Sequence, residues 1–264
     1  MEAKTTKKMA DDERLSSTRV RFDDGEYEGQ LRAGQPHGRG TYTYAEGGTY
    51  DGDWCEGVRE GTGAFRFANG DGYEGQFVGG TMEGCGAYVI AGGEQRYEGQ
   101  FVGGKKEGQG VDLWADGSRY EGQYKDDMYE GGGTYADANG ACYSGSWVAD
   151  CKQGWGVDTW PGGTRYEGEW MNTTFHGRGT WTFGQDGASW EGAWDADLPQ
   201  CGAIGTWRFG GGLEVRGEGP DGVEICQPAA PTKWRTAAAA ALLEHSSHRR
   251  SHLPDIPPSH APSA

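Results

Sequence analysis

The chain has 264 residues, and its composition includes 50 glycines, 11 tryptophans, 13 tyrosines and a formal net charge of −16 at pH 7. The negative charge lies in the middle of the chain, because residues 27–226 hold 14 Lys and Arg against 31 Asp and Glu. Such a region repels nucleic acid and anionic lipid. Its many aromatic residues supply apolar area for a folded core and so exclude a disordered region.

The N-terminal residues 1–19 are charged and polar without an apolar core. They predict a disordered segment, and we expect no signal peptide, transmembrane span or lipidation signal. Val20, Arg21 and Phe22 then predict a lone strand that closes one edge of a repeat domain over residues 20–226.

One sequence unit returns every 23 or 24 residues, eight times over. The copies start at Tyr27, Tyr50, Tyr73, Tyr97, Tyr120, Tyr143, Tyr166 and Trp190. A fixed period of this length indicates a supersecondary unit stacked on copies of itself. Function is then expected on an extended surface, because stacked copies do not enclose one deep pocket.

Each copy begins with an alternating pattern that is typical of a half-buried strand. When the first residue is counted as +0, an aromatic ring stands at +0 and in most copies at +4, glycine stands at +2, and an acidic residue usually stands at +1. One face is therefore aromatic and the other acidic. The positions +0 and +2 are interpreted as structural, and they are Tyr27, Gly29, Tyr50, Gly52, Tyr73, Gly75, Tyr97, Gly99, Tyr120, Gly122, Tyr143, Gly145, Tyr166, Gly168, Trp190 and Gly192.

Glycines at +11 and +13 predict a tight turn, as in Gly38 and Gly40. A second alternating strand follows, with aromatic residues at +15 and +17, and ends in hairpin-turn pairs such as Asn69-Gly70 and Asn139-Gly140. The predicted fold is all-β, an elongated single-layer twisted antiparallel sheet of stacked β-hairpins with an aromatic trough along one face.

The repeated pattern YEGxWxxGxxHGxGxYxxxxG resembles the MORN repeat (membrane occupation and recognition nexus) over about Tyr27 to Gly210. The resemblance implies a MORN-repeat solenoid. Members of this family include radial-spoke head proteins of cilia, cytoskeletal organisers of protists and membrane-bridging junctophilins. The repeats also occur beside the catalytic domains of lipid kinases and of a lysine methyltransferase, for which this chain has no room.

Three departures from the pattern are local. The glycine at +7 is replaced by Asp127, Asp150, Thr173 and Asp197 in copies five to eight, which predicts less regular turns there. Asp112 and Asp158 replace the aromatic residue at +15, and the eighth copy is about two residues longer.

The aromatic face has no second layer to cover it, so part of it must meet water or a partner. We predict that the variable rings near +17 form a protein-binding surface, while core packing remains the alternative. These residues, called the +17 rings below, are Tyr44, Phe67, Trp114, Trp160, Phe183 and Phe209.

Catalytic and metal sites are not indicated, and no cofactor is expected. The six cysteines form no C-x-x-C pair, and His37 and His176 occupy +10, a predicted structural position. Lys105 and Lys106 are the only adjacent basic pair in the repeats and are a candidate lipid-binding site. The surrounding negative charge argues against it.

Residues 227–264 differ in composition from the repeats. Thr232 to Leu243 predicts a short helix, in which Trp234, Ala238 and Leu242 share one face, and a low-complexity, disordered tail follows. We expect this helix to lie over the aromatic trough.

The function predicted from these features is a non-enzymatic scaffold in the cytoplasm, in a cytoskeletal or ciliary assembly. Its partner would be a protein with a basic-edged amphipathic segment, and nucleic acid is not expected to bind. The alternatives are a membrane-apposed adaptor that recognises acidic phospholipids, or an accessory subunit of a lipid-kinase or methyltransferase complex.

Overall fold

The structure, a computed structural model, describes residues 16–184 and 187–219. Nineteen strands are assigned to one antiparallel sheet, which confirms the predicted fold class. The strands are β1 Ser16–Phe22, β2 Gly25–Arg32, β3 Gln35–Tyr44, β4 Thr49–Cys55, β5 Val58–Arg66, β6 Gly72–Val78, β7 Thr81–Val89, β8 Gln95–Val102, β9 Lys105–Trp114, β10 Arg119–Lys125, β11 Met128–Ala136, β12 Cys142–Val148, β13 Cys151–Thr159, β14 Arg165–Met171, β15 Thr174–Phe183, β16 Ala188–Asp195, β17 Leu198–Pro199, β18 Ile204–Arg208 and β19 Glu214–Glu218. A 3₁₀ turn at Ala91–Gly93 is the one short helical element among the described residues.

Close contacts divide the described chain into two units. The first unit holds residues 16–94 and 101–104, and therefore β1–β7 and the end of β8. The second unit holds residues 95–100 and the described residues from 105 to 219, and therefore the start of β8 and β9–β19. Each unit is built from hairpins that follow the sequence repeat.

The hairpin turn of each copy lies at +6 and +7, and not at +11 and +13 as the glycine spacing predicts. In the first copy, Ala33 and Gly34 both have positive φ, of 50° and 83°, as a type I′ hairpin requires. Gly38 at +11 instead lies at a bulge inside β3, with φ 68°. The prediction was wrong because a glycine at a bulge and a glycine at a turn need the same backbone freedom.

The glycine at +13 serves close packing under a ring. In the first copy Gly40 pairs with Gly29 across β2 and β3. A Cβ at Gly40 would lie 2.2 Å from the hydroxyl oxygen of Tyr27. The +0 ring therefore covers a pair of facing glycines, and larger residues at either position would push it away.

The later turns are as regular as the earlier ones, which contradicts the prediction from the missing glycine at +7. Asp126 and Asp127 have φ of 50° and 71°, in the same region as Ala33 and Gly34. The Asp127 carboxylate also accepts the backbone N–H of Lys106 at 2.8 Å. The polar side chain at +7 thus adds a bond to the preceding copy, and Asp150, Thr173 and Asp197 make equivalent bonds.

At the N-terminal edge of the described sheet, β1 contains the predicted closing residues Val20, Arg21 and Phe22 and pairs with β2, but it begins at Ser16, four residues earlier. In the eighth copy, β16 pairs first with the two-residue β17 and then with β18, with Trp190 opposite Trp207. The extra residues are accommodated between these two strands. The predicted helix at 232–243 lies outside the described residues.

Candidate interaction surface

The +0 and +4 rings form the core of each unit. Apart from Leu31, which is half-buried, the side chains at these positions are at most 6% exposed. Each +0 tyrosine donates its hydroxyl hydrogen to the +3 carbonyl oxygen at 2.8–3.1 Å. Between copies the rings meet edge to face, as Tyr50 and Phe77 do with centroids 5.0 Å apart. These rings are therefore satisfied internally.

In the first unit the +17 rings Tyr44 and Phe67 are half-buried. Tyr44 lies 4.6 Å from Tyr42 and 5.6 Å from Phe65, measured between ring centroids. Phe67 lies 4.5 Å from Phe65 and 5.8 Å from Tyr88. The +15 and +17 rings of successive copies thus form a continuous line, the first aromatic row.

The second unit contains a corresponding line in its last copies, the second aromatic row. Its members are Trp160, Trp181, Phe183, Trp207 and Phe209, with successive centroids 5.3, 6.3, 5.6 and 6.0 Å apart. The three +17 rings of this row are half-buried, whereas Trp181 and Trp207 are buried. Each +17 ring therefore packs on a neighbour with one side and keeps part of its surface accessible.

The remaining +17 ring, Trp114, lies outside both rows. It is half-buried and contacts Tyr135 at 5.9 Å. Its own copy has Asp112 in place of the +15 ring, so the line of aromatic contacts is interrupted here. The structure therefore groups the predicted residues into Tyr44 with Phe67, and Trp160 with Phe183 and Phe209.

The buried Asp112 is paired with a lysine that sequence analysis did not connect to it. Lys106 Nζ lies 2.9 Å from both carboxylate oxygens of Asp112, whose side chain is fully buried. Tyr124 donates its hydroxyl hydrogen to the same carboxylate at 2.8 Å, and burial raises the pKa of Tyr124. The ammonium group also lies over the Tyr97 ring, 4.6 Å from its centroid.

The sixth copy repeats this arrangement. Lys152 Nζ lies 2.5 Å from Asp158, and their side chains are 16% and 6% exposed. The same ammonium group sits over the rings of Tyr143 and Trp170, at 4.4 and 4.7 Å. Asp112 and Asp158, the two departures at +15, are therefore each the acidic partner in a buried ion pair, and the lysine of each pair stands at +9.

The candidate lipid-binding lysines are both engaged by carboxylates. Lys106 belongs to the buried pair with Asp112, and Lys105 forms an exposed pair with Asp126 at 2.8 Å. The carboxylate of Asp126 raises the pKa of Lys105. A phosphate group at this position would have to compete with two existing ion pairs, and the lipid contact stays a prediction.

The acidic +1 residues lie on the outer face, opposite the rings. Glu28, Asp51 and Glu74 in the first unit are exposed, as are Glu98, Glu121 and Glu191 in the second. Several pair with arginines on the same face, as Glu121 does with Arg119 at 2.6 Å. Such exposed pairs contribute about 0–1 kcal/mol each, so this face is mainly a solvated charged surface.

Two side-chain roles at the bulge and the turn were missed by sequence analysis. The +3 side chain accepts the backbone N–H at +12 across the bulge, as Gln30 does from Arg39 at 3.0 Å. The +10 side chain accepts the +6 N–H of the next copy, as Glu60 does from Gly79 at 2.9 Å. The signal was present, because +3 is Gln, Asp or Glu in six copies and +10 is always His, Glu or Gln in the first seven.

Other kinds of site have no counterpart in the described part of the chain. There, no group of three or more His, Cys, Asp or Glu residues is placed to hold a metal ion. The five described cysteines are free thiols. No described helix has both the length and the apolar character needed to cross a membrane.

Comparison with protein families places most of the repeat in one known family. The family model described as the MORN repeat matches residues 27–49, 50–72, 73–95, 97–119, 120–142 and 166–187, which together make up more than half of the chain. The copies that start at Tyr143 and Trp190 are not matched. No curated protein sequence matches the chain significantly.

Solved structures with some likeness to the chain include two domains of CPAP proteins. One is the TCP domain of SAS-4 (dCPAP) of Drosophila melanogaster, in complex with a proline-rich motif of Ana2, with 9% identity, a TM-score of 0.36 and coverage of 76% of this chain and 88% of that one. The other is a mutant of the TCP10 domain of Danio rerio CPAP, with 10% identity, a TM-score of 0.40 and coverage of 76% and 99%. Similarity at this level says nothing about what the chain binds.

Proposed function

Because the chain belongs to the MORN-repeat family, we propose that it is a non-enzymatic scaffold that binds a partner protein segment through the +17 rings. The proposed setting is a cytoskeletal or ciliary assembly in the cytoplasm. The observation that supports the binding surface is the half-burial of all six +17 rings, while the +0 rings and the +4 rings are buried.

The second aromatic row is the more favourable binding surface. Three of its five rings are half-buried, and the other two, Trp181 and Trp207, are buried and pack against them. Large rigid rings provide contact area at a low cost in side-chain entropy. An amphipathic partner segment would therefore place its apolar side chains on Trp160, Phe183 and Phe209.

The charge of the repeats determines which segments fit. Residues 27–226 carry 31 acidic against 14 basic residues, so a segment with Lys or Arg at its edges is attracted and nucleic acid is repelled. The same charge opposes an anionic membrane, and the basic pair at Lys105 and Lys106 is already neutralised by carboxylates. A protein partner is thus favoured over the phospholipid adaptor.

The test starts from partners captured by proximity labelling in the source cell, with each interacting segment then prepared as a peptide. Calorimetry would compare the full chain with its Trp160→Ala, Phe183→Ala double variant, which removes two half-buried rings of the second aromatic row. We expect binding to weaken by about 2 kcal/mol or more, because large aromatic residues at an interface are typical hot spots.

A control is Leu113→Ala, which removes an exposed apolar side chain from the outer face. It should leave this binding unchanged. If the double variant remains folded and binds as tightly as the wild type, the +17 rings are not the site. Co-sedimentation with vesicles that contain or lack anionic phospholipid distinguishes the adaptor function, for which only the anionic vesicles should retain the chain.

A further inference from the structure

The sixth copy, residues 143–165, is skipped by the MORN family model, which matches the copies on both sides of it. Its core is nevertheless intact. Tyr143 and Trp147 are 1% and 2% exposed, and the Tyr143 hydroxyl donates to the Ser146 carbonyl oxygen at 2.9 Å, as in the other copies. The buried Asp158 does not explain why the family model skips this copy, because the fourth copy has Asp112 at the same position and is matched.

The sixth copy differs from its neighbours on the outer face. Ser144 stands at +1, where all other copies have Glu or Asp, and Ser146 stands at +3, where the other first seven copies have Gln, Asp or Glu. Trp155 stands at +12 and is 54% exposed, the most exposed aromatic side chain among the described large hydrophobic residues. In this copy an uncharged patch around one exposed indole therefore takes the place of the acidic and amide side chains of the other copies.

The replacement of the +3 side chain also opens the bulge next to Trp155. In the neighbouring fifth copy the carboxamide of Gln123 covers the bulge, so a Cβ at Gly131 would lie 1.8 Å from its oxygen. In the sixth copy the nearest atom to a Cβ at Gly154 is the Ser146 Cβ at 3.7 Å. A notch lined by small residues therefore lies beside the indole.

The strand pairing shows which residues surround this notch. Ser146 lies opposite Gly132, and a Cβ at Gly132 would have no neighbour within 4 Å. On the other side, Trp155 lies opposite Glu169 in β14. Glu130 approaches from the turn side, where its carboxylate accepts the Ala149 N–H at 3.2 Å. The uncharged centre is thus flanked by a carboxylate on each side.

We propose that this outer-face patch, centred on Trp155 with Ser144, Ser146 and Gly132, is a second protein-docking site. Its occupant is an extended protein segment in which an apolar side chain lies on the indole and in the notch, between flanking Lys or Arg residues that face Glu130 and Glu169. An exposed apolar patch with a charged border is typical of such a site, and tryptophan is prominent among interface hot spots.

This site lies on the face opposite the +17 rings, so it does not depend on the function proposed above. Side chains of alternate residues in a strand point to opposite faces, and Trp155 precedes Gly156, whose missing Cβ would meet the Tyr143 ring on the core side. A chain with docking sites on both faces of one sheet can hold two partners at once.

The test uses the full chain and a synthetic fluorescein-labelled peptide in which a central Leu-Trp pair is flanked by Lys and Arg. Fluorescence anisotropy at physiological salt would measure its affinity for the wild type and for Trp155→Gln. Glutamine is the natural residue at this position in the fourth copy, Gln109, so the variant is expected to fold. We expect affinity to fall at least about tenfold.

Three comparisons make the result specific. Ser144→Glu combined with Ser146→Gln, which restores the usual side chains and closes the notch, should weaken the peptide to a similar extent. Trp155→Gln should lower the affinity by the same factor in a Trp160→Ala background, because the two residues lie on opposite faces and contribute independently. A peptide with Ser in place of the Leu-Trp pair should bind at least about tenfold more weakly, because the apolar centre is the specific contact.

The proposal is overturned if the peptide does not bind, or if Trp155→Gln, shown by circular dichroism to be folded, binds it as tightly as the wild type. Equal affinity for the Ser-containing peptide would also overturn it, because the attraction would then be general electrostatics. If Trp155→Gln does not fold, Trp155→Arg, which matches Arg178 in the seventh copy, replaces it in the same comparison.

Discussion

The buried pair of Lys106 and Asp112 gives the sharpest test of how the repeat tolerates polar residues in its core. Lys106→Met removes the ammonium group that lies 2.9 Å from both carboxylate oxygens and leaves a fully buried carboxylate with the Tyr124 hydroxyl as its remaining side-chain donor. Breaking such a pair from one side costs about 3–5 kcal/mol. Urea unfolding at pH 7, followed by far-UV circular dichroism, would measure this loss in the free energy of unfolding.

The repeat itself supplies the compensating change. Met82 and Phe65 occupy the +9 and +15 positions in other copies, so Lys106→Met with Asp112→Phe installs residues that this architecture already accepts. We expect the double variant to lie within about 1 kcal/mol of the wild type, because apolar replacement of a whole buried pair is often neutral.

The adjacent Lys105 is the control. Its pair with Asp126 is about half exposed on both sides, so Lys105→Met should leave the urea midpoint nearly unchanged, because solvent screens such a pair. A destabilisation by Lys106→Met no larger than that by Lys105→Met would contradict the role of the buried pair, and so would a double variant as unstable as Lys106→Met alone.

Two further predictions concern the glycines and tyrosines of the core. Gly133→Ala should destabilise by about 2–3 kcal/mol, because its Cβ would lie 2.3 Å from the Tyr120 hydroxyl oxygen, whereas Gly132→Ala, with no neighbour within 4 Å, should be neutral or stabilising by urea unfolding. Equal effects would contradict the packing role of +13. Burial raises the pKa of Tyr50 and Tyr73 to about 12 in the folded chain, from 10.0 for the unperturbed group. Their contribution to stability is therefore complete below pH 10 and is lost as the pH rises towards 12. The urea midpoint should fall in this pH window, and it should fall less in Tyr50→Phe. A midpoint that does not depend on pH between 10 and 12 would refute this prediction.

Much of this fold could be predicted from the sequence, because the repeat period fixes the phase of every ring. The buried +0 and +4 positions, the acidic outer face and the closing strand β1 follow from alternation alone. The turn position could not be predicted in the same way. Glycine is needed at the bulge, under the ring and at the turn for three different reasons, and Gly38, Gly40 and Gly34 look alike in one sequence.

The polar exceptions were identified but not paired. Asp112 and Asp158 are separated by six residues from Lys106 and Lys152, and these two copies alone combine Lys at +9 with Asp at +15. Each pair joins residues on the two sides of a bulge within one strand. The alternation of a regular strand places residues six apart on the same face but not in contact. The importance of Trp155 also needed the structure, since a tryptophan in an aromatic-rich repeat is expected to be buried.

The bonds between neighbouring copies have a consequence for how such a chain can change over generations. At the first six junctions the +10 side chain of one copy accepts the +6 N–H of the next, as Glu107 does from Asp126 and Glu130 does from Ala149. Loss of residues 120–142 in a gene would bring the acceptor Glu107 to the N–H of Ala149, an exchange of like for like. Duplication or deletion of a whole copy therefore preserves the chemistry of these junctions, and the 24-residue third copy keeps the same bond, from the Gly103 N–H to Glu83 at 3.0 Å. The number of copies is thus free to vary in evolution, whereas the spacing from acceptor to donor is held to within one residue.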